Sequence, residues 1–152
     1  MTESATMLDT VSLPKKILVG VDGSEESLAA ARYAIELAGR LQAELSVLHV
    51  VMVPEYVSAD VGNRLKKELV SRGESTMMRV REAAKGRDIV LREKMLTTTK
   101  SVIATFCEFA SNDGSELVIM GSSGAGGVAK LMLGTVAVGV AREARCPVLL
   151  VR

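Results

Sequence analysis

Between Gly121 and Thr135 the chain reads GSSGAGGVAKLMLGT, a glycine-rich bridge from a strand pattern to a helix pattern. The apolar run Leu117-Val118-Ile119-Met120 before it has the length and character of a buried strand. Val136 to Glu143 after it returns to helical spacing. Such a junction suits an anion, because the first N–H groups of a helix have no intrahelical acceptor and carry the positive end of its dipole. Gly121, Gly124 and Gly134 lack Cβ, so their backbone can close on phosphate oxygens or take positive φ. Thr135 can turn its hydroxyl to the same anion or cap the helix. A ligand-free glycine connection with a capped helix fits the same residues. Lys130 is the one lysine or arginine inside the stretch, suited to a terminal phosphate or to solvent.

Two familiar phosphate loops do not fit. A P-loop needs Lys-Ser or Lys-Thr directly after its last glycine, and here Gly127 and Val128 follow Gly126. Gly124-Ala125-Gly126-Gly127-Val128-Ala129 does match the dinucleotide fingerprint. That motif, however, opens its helix on the glycines and closes the next strand with an acid. This helix signal waits until Thr135, and the next strand closes Val151-Arg152.

A second chemically loaded point is Val21-Asp22-Gly23-Ser24, at the end of the first apolar run. Asp22 can accept hydrogen bonds from ribose hydroxyls or approach a magnesium ion carried by phosphates. It can equally satisfy backbone N–H groups of its own turn. His49 is the only histidine, and a general base needs a nucleophile and an orienting partner that the sequence does not display. A structural role is expected for it. Cys107 and Cys146 form no CxxC and read as reduced, buried thiols. One histidine and two distant cysteines support no transition-metal site.

The elements that must position these residues alternate. Ile17 to Val21 is an unbroken aliphatic strand, and Ser24 is a good N-cap with Glu25 and Glu26 in the first turn. Leu28, Ala31, Ile35 and Ala38 place one apolar face along a helix to about Leu41. Leu45 to Val53 is a second strand, and Val61 to Ala84 a long amphipathic helix, bent near Gly62 or Gly73 if anywhere. Ile89 to Leu96 alternates with Arg92 and Lys94 on one side, as an edge strand does. Thr97-Thr98-Thr99 leads to a helix carrying Val102, Ile103, Phe106 and Ala110. The Leu117 strand, the glycine stretch, the Thr135 helix and the strand Val148 to Val151 complete the series. This order predicts an α/β fold: one open, doubly wound, mostly parallel five-stranded sheet with helices on both faces. Residues 1–14 read as a flexible tail and residues 15–152 as a single domain. In such a sheet ligands bind beyond the carboxyl ends of the strands, where the strand order reverses.

Composition narrows the function. The chain has 152 residues, 48% of them apolar, with two Phe, two Tyr and no Trp, so its core is aliphatic. A net charge of +1 and so few aromatics leave no electrostatic or stacking case for nucleic acid. No apolar run approaches membrane-spanning length, and the acidic, aperiodic start is no signal peptide. A cytoplasmic protein is expected. A receiver domain has a similar element order but needs an aspartate closing the third strand and a lysine closing the last. The third strand here ends Met95-Leu96-Thr97 and the last ends Val151-Arg152.

Gly121 and Gly124, then nine residues, then Gly134-Thr135 resembles the nucleotide-binding signature of the universal stress protein family. Lys15 to Val19 with Val21-Asp22-Gly23-Ser24 looks like that family's opening, and Leu48-His49-Val50 like its second strand. Glu116 to Ser122 is similar to its fourth strand, and Cys146-Pro147-Val148-Leu149-Leu150-Val151 to its close. The resemblance implies an adenine-nucleotide-binding domain, commonly a homodimer, that takes ATP, ADP or AMP with Mg2+. It puts Asp22 beside the ribose or metal, with Gly20 and Val21 lining the pocket and Met120 also among the nucleotide-binding residues. Val50 would bond adenine through its backbone. Gly121 and Gly124 would embrace sugar and phosphates, and Gly134, Thr135 and Val136 would hold the phosphates. Many members carry His and a basic residue where this chain has Ser123 and Ala125, which favours AMP or ADP or weakens triphosphate binding. Thr97 to Ser101 also lacks a Gly-x-Pro often found there.

These readings lead to a cytoplasmic ATP-binding switch module of the stress response, homodimeric through Val148 to Val151, with no nucleic-acid or membrane partner. A slow ATPase or phosphotransferase is the first alternative, and a dimeric interaction protein with a vestigial pocket the second.

Overall fold

The computed structural model describes residues 12–123 and 133–152. Most of the expected N-terminal tail, and Gly124 and Lys130, lie outside the described residues. Among the described residues strands and helices alternate: β1 (Lys16–Gly20), α1 (Glu25–Leu41), β2 (Glu44–Met52), α2 (Ala59–Ala84), β3 (Leu91–Thr98), α3 (Val102–Asp113), β4 (Leu117–Gly121), α4 (Thr135–Glu143) and β5 (Val148–Val151). The five strands form one sheet in the order β3-β2-β1-β4-β5, with every neighbouring pair parallel. The doubly wound α/β fold expected from the sequence is the fold observed. No described helix is long and apolar enough to cross a membrane.

Strand alternation divides the core into two layers. Ile17, Val19, Leu45, Val47 and Ile119 face α1 and α2, where Leu28, Ala30, Ala31, Ala34, Ile35, Ala38, Met77 and Val80 meet them. Leu18, Leu48, Val118 and Met120 face the other way, onto Phe106, Ala110 and Val140 of α3 and α4. Ala30, Ala31, Ala34 and Ala38 are among the most fully buried residues of α1. Full burial of each Leu, Ile or Val contributes about 1.5–3 kcal/mol, and this aliphatic packing holds the layers together. Exposed ion pairs such as Arg72–Glu68 each add at most about 1 kcal/mol.

The third strand starts later and ends later than its letters suggest. Leu45 N–H donates to the Val90 carbonyl at 2.9 Å and Val53 N–H to the Thr98 carbonyl at 2.9 Å, so pairing with β2 sets both ends. Thr97 and Thr98 therefore belong to the strand, and Ser101 caps α3 by accepting from Ala104 N–H at 3.1 Å.

Helix α2 is assigned without a break through Gly62 and Gly73. A Cβ on Gly73 would lie 2.7 Å from His49 Cδ2 and 2.8 Å from Met95 Cε. The glycine is thus a cut-out in the helix face that admits two side chains from β2 and β3. Gly39 of α1 differs, being exposed, with the nearest atom to its added Cβ at 3.7 Å. Alanine at Gly39 should raise stability by about 0.5–1 kcal/mol through helix propensity and a less flexible unfolded chain. Alanine at Gly73 should instead lower it by about 1–3 kcal/mol through overpacking. Urea midpoints measure both, and a stabilised Gly73→Ala protein would contradict the cut-out.

Candidate functional site

From β1 the chain winds outward through β2 to β3, then crosses to the opposite side of β1 to lay down β4 and β5. The reversal therefore falls between β1 and β4, paired as Ile17↔Leu117, Leu18↔Val118 and Val19↔Ile119. Beyond the carboxyl end of β1 come Val21 and then Asp22, and Gly121 closes β4. They are neighbours across the crevice where open parallel sheets take their ligands.

The β1 side is a locked turn. Asp22 Oδ1 accepts from Ser24 N–H at 2.9 Å and from the Ser24 hydroxyl at 2.5 Å. Ser24 Oγ caps α1 by accepting from Ser27 N–H at 3.2 Å, and Asp22 N–H donates to Ser27 Oγ at 3.2 Å. Gly23 has φ +88°, a conformation that other residues adopt only with strain. Of the two roles open to Asp22, the turn-forming one is present, while its exposed position keeps the carboxylate at the crevice. Upstream, Val21 N–H donates to the Leu48 carbonyl at 3.0 Å, and the Val21 carbonyl accepts from His49 Nδ1 at 2.7 Å. A carbonyl can only accept, so the Nδ1 of His49 carries a proton.

The β4 side is a helix start whose cap residue is a glycine. Gly134 N–H donates to the Ser122 carbonyl at 2.7 Å, and Ser122 N–H to the Val151 carbonyl at 2.9 Å. These two bonds bring the first turn of α4 to the end of β4. Serines cap α1, α2 and α3, but α4 begins after Gly134 with no side-chain cap and no acid in its first turn. Thr135 is the first helical residue and not the cap. An anion here meets N–H groups with no intrahelical acceptor and a helix dipole worth about 0.3–2 kcal/mol. The first turn of α1, with Ser24, Glu25 and Glu26, offers the opposite. The two helix starts at this crevice therefore differ in the charge they suit.

The remaining expected residues divide by how they face the crevice. Leu48 lends its carbonyl to Val21, and backbone groups two residues apart along a strand face the same neighbour, so the Val50 backbone looks toward β1 just past its end. Gly20, Val21 and Met120 are buried, the last two through side chains packed into the core. Cβ on Gly20 would lie 2.7 Å from Phe106 Cε2, which explains glycine there by packing alone. Backbone is what these three can present to a ligand. Thr135 and Val136 are exposed, and Gly134, at φ −66°, needs no special conformational freedom. Gly124 and Lys130 lie outside the described residues.

Sequence reading missed the supports behind the Asp22 turn. Residues Gly73, Thr76 and Arg79 of α2 lie three apart, on one helix face. Gly73 makes room for His49; Thr76 Oγ1 would sit 3.0 Å from a Cβ on Gly23; Arg79 pairs with Glu25 at 3.4 Å. The available signal was a glycine in the middle of an amphipathic helix, which marks a packing need.

The sequence pattern of the Universal stress protein family matches residues 14–152. A universal stress protein of Methanocaldococcus jannaschii is 33% identical over 144 residues, covering 93% of this chain and 84% of the relative. The universal stress protein YxiE of Bacillus subtilis is 32% identical over 151 residues, covering 90% and 98%. Among solved structures, universal stress protein UspA from Lactobacillus plantarum superposes with a TM-score of 0.81 at 23% identity, over 93% of this chain and 100% of that one. A universal stress protein in complex with cAMP matches at TM-score 0.67 and 23% identity, over 93% and 99%. One from Archaeoglobus fulgidus in complex with dAMP matches at 0.63 and 21%, over 90% and 97%. One from Arabidopsis thaliana with AMP bound matches at 0.61 and 18%, over 91% and 91%.

Gly121 tests how tightly the two sides of the crevice are joined. A Cβ there would lie 2.9 Å from Glu26 C and 3.1 Å from Ser27 N, both backbone atoms of the first turn of α1. Gly121→Ala should therefore destabilise the fold by about 1–3 kcal/mol, since backbone cannot swing aside as a side-chain tip can. An unchanged urea midpoint would mean that α1 yields.

Proposed function

The chain belongs to the universal stress protein family, and from that premise we propose that it binds an adenine nucleotide at the β1–β4 crevice and works as a cytoplasmic binding or switch module of the stress response. The observation that carries the proposal is the placing of the Asp22 turn beside an α4 start that lacks both side-chain cap and acid. The adenine nucleotides in the related structures, cAMP, dAMP and AMP, support the ligand class. In this proposal the Val50 backbone reads the adenine edge and Asp22 takes the ribose hydroxyls or a nucleotide-borne Mg2+. Gly121 and Gly124 admit sugar and phosphate to close backbone approach. Gly134, Thr135 and Val136 hold the phosphates, with Lys130 available to a terminal one. Neutral Ser123 and Ala125 favour the shorter nucleotides AMP and ADP over ATP.

A binding role is preferred to rapid hydrolysis because fast phosphoryl transfer needs a positioned water and fixed positive charge on the transferring group. The one histidine is packed with its Cδ2–Nε2 edge against Gly73 of the second helix, so that nitrogen faces α2 and not a water at the phosphates. Calorimetry with AMP, ADP and ATP on nucleotide-free protein should show saturable binding. Asp22→Ala should weaken it about 10-fold or more, the value of a hydrogen bond to a charged group. Single-turnover hydrolysis of labelled ATP with magnesium should run far below the ~1–100 s⁻¹ of kinases. No binding of any of the three nucleotides would leave the vestigial-pocket reading in its place.

Strand β5 is the outermost strand on its side, apolar and half-buried along its whole length. Bare edges of this kind invite pairing, which supports a symmetric homodimer through Val148 to Val151. The Pro147 and Val151 carbonyls accept from β4, so the intervening Leu149 also faces β4 and the free edge is offered by Val148 and Leu150. Light scattering should report a dimer, and Leu150→Pro, which removes a donor from that free edge, should shift it toward monomer. A wild-type monomer at high micromolar concentration would refute the assembly.

A further inference from the structure

The chain's two cysteines, 107 and 146, come from different elements and yet meet at one cavity. Cys107 sits on α3 and Cys146 just before β5, at the amino ends of the strands and away from the Asp22 crevice. The cavity measures about 210 Å³ and is lined by Cys107, Ala110, Ser111, Ser115, Arg145 and Cys146. Both cysteines are half-buried free thiols. One wall is firmly held: Ser115 donates to Asp113 Oδ2 at 3.4 Å, Ser46 of β2 donates to the same oxygen at 3.1 Å, and Lys16 Nζ donates to the Asp113 carbonyl at 2.6 Å.

We propose that Cys107 and Cys146 form a dithiol modification site, oxidised to an intramolecular disulfide by a small, acid-bearing disulfide such as glutathione disulfide. Arg145 at the same cavity offers its guanidinium to the carboxylate of that oxidant. The Cys146 thiolate attacks one sulfur of the small disulfide, forming a mixed disulfide and releasing one small thiolate. Cys107 then gives up its proton and attacks the Cys146 sulfur, releasing the second small thiolate and closing the Cys107–Cys146 bond. Two protein thiols are oxidised by two electrons, the small disulfide is reduced to two thiols, and the cysteine protons end on those thiols. The bond ties α3 to the start of β5, the strand at the open edge of the sheet.

The surroundings order the two steps. Burial raises both thiols above their ordinary range. After burial, the Glu143 carboxylate and then Cys146 further oppose the Cys107 thiolate. For Cys146, hydrogen bonds from its own backbone N–H and that of Val118 act against the burial. Cys146 adjoins Arg145 in the chain at this cavity, where the guanidinium would hold the oxidant, and that placement makes Cys146 the first nucleophile. Because the thiolate reacts and both thiols titrate high, the rate should climb with pH through the neutral and mildly alkaline range.

The test uses the full chain, reduced and then incubated with glutathione disulfide from pH 7 to pH 9, with intact mass read after denaturation. The expected product is wild-type protein lacking two hydrogens and carrying no adduct, formed faster as pH rises. Cys107→Ser should stop at a single glutathione adduct, and its rate should report the first step. Arg145→Gln should slow oxidation by glutathione disulfide several-fold but leave oxidation by uncharged hydroxyethyl disulfide unchanged. Stable glutathione adducts on wild-type protein, disulfide-linked dimers, or no reaction at pH 9 would each overturn the dithiol site. Equal effects of Arg145→Gln on both oxidants would overturn the role of Arg145.

Discussion

Pairing between β1 and β4 is the constraint on which the rest of this molecule depends. Three register pairs, Ile17↔Leu117, Leu18↔Val118 and Val19↔Ile119, join strands distant in sequence at the middle of the sheet. Leu18, Val19, Val118 and Ile119 are all fully buried. A slip of one residue would turn each of them to the wrong layer, so register is fixed by burial on both faces. The same register brings Asp22 and the end of β4 to one crevice, and the Gly134–Ser122 and Ser122–Val151 bonds then deliver α4 to it.

Several glycines here answer to packing where a ligand would have been the first guess. Gly20 makes room for the Phe106 ring, Gly73 for His49 and Met95, and Gly121 for the backbone of α1. These close approaches also make the crevice stiff. The Val21 peptide is gripped on its N–H by Leu48 and on its carbonyl by His49, while α2 stands behind Gly23 and Glu25. Arg79–Glu25 is well exposed and contributes at most about 1 kcal/mol. Apolar packing of Met77 and Val80 is what keeps α2 in place. A rigid wall of this kind presents a carboxylate in one geometry, which lowers the entropy lost when a ligand binds.

The two ends of the sheet differ in chemistry. The carboxyl ends gather backbone donors and a carboxylate, suited to reversible recognition of a sugar and phosphate. The amino ends of β4 and β5 gather two thiols, two hydroxyls and a guanidinium around one open cavity. Strand β5 belongs to both ends, since Cys146 precedes it and Val151 anchors Ser122. Its apolar edge is the third surface of the molecule with a physical demand on it.

Fold class, strand count and the edge character of the third strand were legible in the letters, because continuous aliphatic runs and helical spacing record burial directly. The Asp22 turn was legible too, since side-chain type carries its own chemistry. The Ser24 cap could be read locally for the same reason. Strand ends were not, as at β3, where partners on β2 decide the last pairs. Nor were the partner of His49, the purpose of Gly73 or the meeting of Cys107 with Cys146. Each of those depends on which surfaces the packed layers bring together across tens of residues. Local patterns can state that a residue will be buried, but only the packed sheet and helices decide against what.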